Sequence, residues 1–388
     1  MNILEKVDVA KVLEWRRHIH MYPEVAYDEH ETAAYIAGVI GGYAGVEILR
    51  PTATSVVAVL RGGKPGRVVG LRADIDALPV TEETGLPFAS RNAGVMHACG
   101  HDCHAAMLLG ALDVLHGMRD ELCGSVKFIF QHAEEMLPGG ACELVASGVL
   151  ADCEMFFAEH VFPSAPVGHV GVSEGAISAN SDRFTIKIQG KGCHAAMPYE
   201  GIDTLLVACE VVQSLNFIVS RNVAAKDRAV LTVGALNSGT SFNIVPDTAE
   251  IKGTVRTFDI AVQDNIEARI SQITQGICAA YGATCEIDYE RGYDSMVNDK
   301  VAVDTFKRAA QKATPDIIVD PMTPMMGGED FSAYREIAPI CFVEIGAGPP
   351  AGGEYFANHH PKFFIDEAAF PAGAALYAAF AIEVLLNE

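Results

Sequence analysis

Three apolar, strand-like runs in this chain each finish in residues that bind metals or move protons, and that recurrence constrains the fold. Arg67-Val68-Val69-Gly70-Leu71-Arg72 runs into Ala73-Asp74-Ile75-Asp76. Val126-Lys127-Phe128-Ile129-Phe130-Gln131 runs into His132-Ala133-Glu134-Glu135, and Met155-Phe156-Phe157-Ala158-Glu159 ends in His160. Each run is rich in β-formers. In α/β sheets ligands gather at the carboxyl ends of strands, so three such endings argue for one site in an α/β domain. Asp74 and Asp76 stand at i, i+2 and point the same way from a strand end, able to hold a histidine or a cation. Glu134 and Glu135 are adjacent, so the two carboxylates face opposite ways and do different jobs.

The densest stretch is Met96-His97-Ala98-Cys99-Gly100-His101-Asp102-Cys103-His104, followed at once by the apolar helical run 105–112. On an extended strand end Cys99 and His101 leave the same face roughly 7 Å apart, at about 3.3 Å per residue, close enough to share a metal or for one of them to bridge a pair. Gly100 lets the backbone turn sharply between them.

The 388 residues suffice for two domains, and a formal charge of -22 excludes nucleic acid and anionic membrane surfaces as expected partners. Ten cysteines are scattered without a disulfide-domain spacing, and the N-terminus lacks a signal-peptide pattern. A cytoplasmic location is expected. The greasy stretch 370–386 opens with Pro371 and Gly373 and contains Glu383, so it reads as a buried terminal helix rather than a membrane span.

Helices are expected over 5–20 and 30–41. His18 and His20 are read as groups that hydrogen-bond locally near the end of the first. From about residue 178 the pattern changes: strand 183–189, helix 204–219, strands 229–235 and 248–257, helix 261–280 and strand 284–289. This β-α-β-β-α-β order is the ferredoxin-like α+β pattern. The expected division is 1–178 and 291–388 as a discontinuous metal-binding catalytic domain, with 179–290 inserted. Met325-Met326-Gly327-Gly328-Glu329-Asp330-Phe331 reads as a Gly-rich helix start able to take an anion.

Collected, the candidate metal-binding groups are Cys99, His101, Glu135, His160 and His359, with Glu134 beside them. Mixed N, O and S donors suit zinc, manganese, cobalt or nickel, and more than four of them imply two divalent ions. Such a pair lowers the pKa of a bridging water and polarises a carbonyl. Glu134 is then the general base and afterwards the acid for the leaving amine, in metal-assisted amide hydrolysis. Two other readings stay open: a silent metal- or peptide-binding protein, and Cys99 as a nucleophile with His101 or His104 as its base.

The motifs His97-Ala98-Cys99-Gly100-His101-Asp102-Cys103-His104, Arg72-Ala73-Asp74-Ile75-Asp76-Ala77-Leu78-Pro79, Glu134-Glu135, Gly327-Gly328-Glu329-Asp330-Phe331 and His359-His360-Pro361 together resemble the dinuclear metallo-aminoacylase and carboxypeptidase family. They are most similar to the branch with hippurate hydrolase, N-acyl-amino-acid amidohydrolases, N-acetyldiaminopimelate deacetylase and auxin-conjugate hydrolases. The resemblance implies a parallel-rich central sheet flanked by helices, with the inserted domain serving as lid and dimerisation surface of a homodimer or larger oligomer. It implies cleavage of N-acyl (acetyl, benzoyl or similar) L-amino acids, with aminoacyl-dipeptide hydrolysis or N-acetyldiaminopimelate deacetylation as the alternative. By the resemblance the ligands are Cys99, His101, Glu135, His160 and His359, with His101 a bridge, Glu134 the base and Asp76 behind the ligands. It also implies that His194 polarises the scissile carbonyl, and that Asn243, Arg256 and Gly328 meet substrate. His132 stands where this branch has a proline and reads as a tolerated loop change. His359 is preferred to His360 on its spacing to Asp366-Glu367, His104 is placed behind the ligands, and His169 is read as structural.

Overall fold

The computed structural model describes residues 2–350 and 353–386. They form two compact units. The first takes in the described chain up to Ile177, Val297–Thr323, and the chain from Asp330 on; the second is Ser178–Met296 with Pro324–Glu329.

The first unit opens with α1 (Val9–Met21), whose Asp8 side chain accepts from the Lys11 amide, and α2 (His30–Ile40). Strands β1 (Val46–Leu49), β2 (Val56–Arg61) and β3 (Lys64–Asp74) follow, then α3 (His101–Gly117), β4 (Cys123–Gln131), α4 (Gly140–Ala146), β5 (Met155–Pro166), β6 (His169–Gly171) and β7 (Gly175–Ala176).

The second unit contributes β8 (Asp182–Gln189), β9 (Cys193–His194), α5 (Thr204–Leu215), α6 (Phe217–Asn222), β10 (Ala229–Ser238), β11 (Ile244–Val245), β12 (Thr248–Thr257), α7 (Ile260–Ala280) and β13 (Thr284–Glu290). Its four long strands are all antiparallel, in the order β10-β12-β8-β13. Along β8 buried Phe184, Ile186 and Ile188 alternate with exposed Arg183, Lys187 and Gln189, because only one face of this sheet is covered. Asp203 and Asp259 cap α5 and α7 through their carboxylates. The helix expected over 204–219 is instead two, broken at Asn216, whose side chain bonds back to Val212 O.

The chain returns through β14 (Val297–Asn298), α8 (Lys300–Ala313), β15 (Ile318–Asp320), β16 (Ile340–Gly348) and α9 (Phe370–Leu386). Among the described residues the first unit's main sheet has eight strands, ordered β1-β2-β4-β3-β5-β16-β6-β15. The four central strands β4-β3-β5-β16 are mutually parallel. Helices α3 and α9 pack on each other with α1 and α8 alongside. Both are apolar on nearly every side, as helices enclosed in a core are, and α9 is buried as expected of the greasy C-terminal stretch.

Three expectations at the candidate site change. Cys99 and His101 are not on a strand end: Gly100, at φ +97, is the N-cap of α3, and His101 is its first residue. A Cβ on Gly100 would lie 2.4 Å from Val161 Cγ2, so only glycine makes this approach. Strand β5 runs on to Pro166, which leaves His160 in mid-strand. Gly327 and Gly328 precede a seven-residue 3-10 turn, Asp330–Glu336, and not an α-helix, so no helix dipole is available there for an anion.

Two buried carboxylates tie the unit's parts together. Asp102, on the first turn of α3, accepts from Arg16 Nε and meets His20 Nδ1, both at 2.8 Å, so His20 bonds far along the chain and not locally. Burial opposes the charge on Asp102, but Arg16 and His20 hold its carboxyl far below the usual range. Its contribution to stability is therefore complete above the ordinary carboxylate pKa of about 4 and is lost on further acidification. Arg16→Met leaves this carboxylate without its permanent cation. It is expected to cost about 3–5 kcal/mol of unfolding free energy at pH 7 and to raise the pH of acid unfolding, both read by denaturant titration.

Glu29, fully buried, accepts from the Tyr27 amide at 3.0 Å and from the Ala133 amide at 2.8 Å. Burial and then Asp76 push its carboxyl up to about 7. Between pH 4.3 and 7 the unfolded chain releases this proton while the folded one keeps it, so stability falls as pH rises through that window. Glu29→Gln keeps an acceptor for Ala133 and removes the titration. It is expected to flatten the stability profile and to gain about 1–3 kcal/mol at pH 7.5; an unchanged slope would refute a neutral Glu29.

Candidate metal centre

Donor atoms of Cys99, His101 and His160 lie within 4.8 Å of one another, as do those of Cys99, Glu135 and His359, and those of His101, Glu134 and Glu135. The five candidate donors and Glu134 therefore form one cluster in the first unit, and Cys99, His101 and Glu135 are each common to two of the groups. Cys99 Sγ is 3.4 Å from His160 Nε2, and His359 Nε2 is 3.1 Å from Glu135 Oε1.

Each donor is aimed by its surroundings. His101 Nδ1 meets the Asp76 carbonyl at 2.9 Å and Asp76 Oδ1 at 3.1 Å, which puts the proton on Nδ1 and leaves Nε2 a lone pair. The other oxygen of Asp76 accepts from the Glu135 amide at 2.9 Å, so one aspartate sets two donors. His160 likewise gives Nδ1–H to Val161 O at 3.0 Å and presents Nε2. Beyond β4 the chain breaks at Ala133, at φ +51, a turn held by Glu29, and the two carboxylates follow in the loop. His359, at φ +70, is fixed by its amide on Ala98 O, and Asn358 Nδ2 bonds Cys99 O. His360 instead accepts from the Lys362 amide and stacks on Phe356, so of the two neighbours His359 is the one that joins the cluster.

The cluster fits divalent ions. His101 Nε2 is a buried atom without a hydrogen-bond partner among the described residues, a costly state unless something else binds it. Burial opposes charge on Glu135, yet His359 and His101 hold its carboxyl below the usual range. Burial and then Glu135 push the Cys99 thiol up to about 12. A nucleophilic cysteine needs the reverse shift, which counts against Cys99 as a nucleophile.

Other histidines have other duties. His104 is fully buried and bonded at both ring nitrogens, to Asp74 Oδ1 and to the Val161 amide. His132 is buried and 3.2 Å from Glu143, and His169 pairs with Asp320 at 2.7 Å. The roles of Glu29, which holds the Ala133 turn, and of Asn358 had no sequence signal: their partners are 104 and 259 residues away.

In the second unit His194 is exposed, and its Nδ1 accepts from the Ala196 amide at 3.0 Å, so its proton is on Nε2. Ribbon β9–β11 pairs His194 with Ile244, next to exposed Asn243, whose Oδ1 accepts from Ser241. Arg256 is half-buried and held through NH1 alone, on Thr254 Oγ1 and the carbonyls of Asp182 and Val255. A Cβ on Gly328 would meet Ser181 Cβ at 2.9 Å, so this loop needs glycine to pack.

The model of peptidase family M20/M25/M40 matches residues 70–383. An N-acyl-L-amino acid amidohydrolase of Geobacillus stearothermophilus is 44% identical over 299 residues, 76% of this chain and 81% of that protein. An N-acetylcysteine deacetylase of Bacillus subtilis is 38% identical over 383 residues, 98% of both chains. The crystal structure of the Bacillus subtilis YXEP protein, described as a dinuclear metal-binding peptidase, superposes with a TM-score of 0.85 at 36% identity, covering 97% of this chain and 98% of that one. A match over most of the chain and relatives of this identity establish one thing plainly: the chain belongs to peptidase family M20/M25/M40.

Proposed function

We propose that this protein is a metal-dependent amidohydrolase that cleaves N-acyl L-amino acids into a carboxylic acid and a free amino acid. The observation that carries the reading is the cluster of five donors with Glu134 beside it, in which buried His101 Nε2 has no hydrogen-bond partner among the described residues. The names of the two relatives, an acyl-amino-acid amidohydrolase and a deacetylase, support the substrate class.

The residues that would hold two divalent ions, zinc or manganese before cobalt or nickel, are Cys99, His101, Glu135, His160 and His359. Cys99, His101 and Glu135 are each common to two of the donor groups around the cluster, so each would stand within reach of both ions. Bound there, the ions would acidify a water molecule and polarise the scissile carbonyl. Glu134 takes the proton from the attacking water and passes it to the nitrogen as the C–N bond breaks. Asp76 keeps His101 in the tautomer that offers Nε2. His194, protonated on Nε2, is suited to donate to the carbonyl oxygen as negative charge grows on it. Arg256, fixed through one nitrogen, keeps the rest of its guanidinium for the substrate carboxylate, with Asn243 and Gly328 shaping the same end. We assign the second unit the parts of lid and dimer surface; its exposed Leu206, Phe217 and Phe242 support the latter.

The test is release of amino acid from N-acetyl, N-benzoyl and peptidyl substrates with zinc or manganese, and again with chelator. Chelator-sensitive release from one acyl class is expected. Glu134→Gln is expected to lower kcat by roughly 10²–10⁴ with metal content unchanged. Full turnover by a metal-loaded Glu134→Gln enzyme would sink the mechanism, and no release from any substrate would sink the function.

A further inference from the structure

His160 presents its ring from the middle of β5 at a point where that strand has lost one neighbour. Strand β3 pairs with β5 from Val69 opposite Met155 as far as Arg72 opposite Ala158, and no further. On the other side β16 continues past Glu344 opposite His160. Backbone amides of a strand alternate between its two neighbours. Phe156 turns its amide toward β16, to Pro339 O at 2.9 Å, so the even-numbered residues face β16 and the odd-numbered ones face β3. Glu159 and Val161, flanking His160, therefore point their N–H groups at a strand that is no longer there. Both sites are buried, where an unpaired amide is costly.

Side chains fill the gap. The Glu159 amide donates to Tyr377 Oη at 3.3 Å, and that hydroxyl donates in turn to Arg72 O, the last residue of the β3 pairing, at 2.7 Å. The Val161 amide donates to His104 Nε2 at 2.9 Å. A ring nitrogen that accepts carries no proton, so the proton of His104 is on Nδ1 and goes to Asp74 Oδ1 at 2.5 Å. Asp74 Oδ2 accepts from Arg72 NH1 at 2.8 Å. Arg72 is anchored further on Gln131 Oε1 at 2.9 Å and Asp330 Oδ1 at 2.7 Å. With both nitrogens engaged, His104 has no lone pair for an ion, although Asp74, His101 and His104 cluster closely enough to resemble a metal site.

We propose that His104 and Tyr377 are positioning residues that replace the absent strand on either side of His160, with Arg72 and Asp74 as the anchor of His104. They hold the backbone that aims His160 Nε2 at Cys99 Sγ. The inference rests on the metal reading given above, and reaches residues that bind neither metal nor substrate.

The experiment is zinc titration of the metal-free chain against a chromophoric chelator, with zinc content measured independently and folding followed by circular dichroism. Wild type is expected to bind two zinc ions. His104→Leu, which cannot accept from Val161, is expected to weaken one of the two constants about 10–100-fold and to spare the other. His104→Gln, whose amide oxygen can accept that bond, is expected to recover most of the loss. Tyr377→Phe is expected to weaken the same constant by a smaller factor. Two wild-type constants in folded His104→Leu would overturn the proposal, as would a His104→Gln variant that falls as far as the leucine one. Should His104→Leu fail to fold, the other two variants decide it: unchanged constants in Tyr377→Phe overturn it. A wild-type chain that binds no zinc overturns the metal reading first, and this inference with it.

Discussion

Ionisable side chains taken out of water must be tied to one another, and around the donor cluster this constraint governs nearly every contact. Arg72 is the clearest case. Its guanidinium is buried under the sheet's centre and bonds Asp74, Gln131 and Asp330 at 2.7–2.9 Å. Asp74 then holds His104, Asp76 holds His101 and the Glu135 amide, and Arg16 with His20 holds Asp102. The result is a set of donors whose rotamers are fixed before any ion arrives, the preorganisation that a metal centre and its supporting layer of partners require.

The backbone makes its own contribution at three places where regular structure stops. Gly100 turns left-handed to start α3 at His101, Ala133 turns left-handed ahead of Glu134, and His359 does so on the far loop. Non-glycine residues in that region are uncommon and strained, and they persist where surrounding bonds over-determine them. Here the bonds are visible: Glu29 on the Ala133 amide, and Ala98 O on the His359 amide. Each break falls beside a residue of the cluster.

The sequence made the α/β architecture of the first unit legible through its apolar runs, and the β-α-β-β-α-β order of the second through alternation and turn residues. It also marked the candidate donors, because Cys99, His101, Glu135, His160 and His359 are chemically conspicuous. What it hid was geometry set by distant partners. The strand-end picture of Cys99 and His101 failed because αL geometry at Gly100 depends on the approach of Val161, which periodicity cannot report. Local bonding of His20 failed because its partner, Asp102, lies on another helix. The helix expected near Gly328 failed because a glycine pair marks a turn but does not determine the type of the next element. The resemblance placed His104 behind the ligands, but its contacts and those of Glu29 were beyond sequence reasoning, since both depend on where another strand or loop ends.

The order in which β5, β16 and β6 lie side by side has a consequence for the history of the molecule. Strand β16 pairs with β5 on one side and β6 on the other, yet it is made only after the whole second unit has been synthesised. A growing chain therefore leaves the ribosome with the edge of β5 exposed and with α3 lacking its partner α9. The four-stranded sheet of the second unit lies within one continuous stretch and has its pairings in hand while the first unit still waits. Closing so long a loop adds little to the thermodynamic cost but delays the event that completes the core. During that interval β5, which carries His160, presents an apolar and unpaired edge to wrong partners.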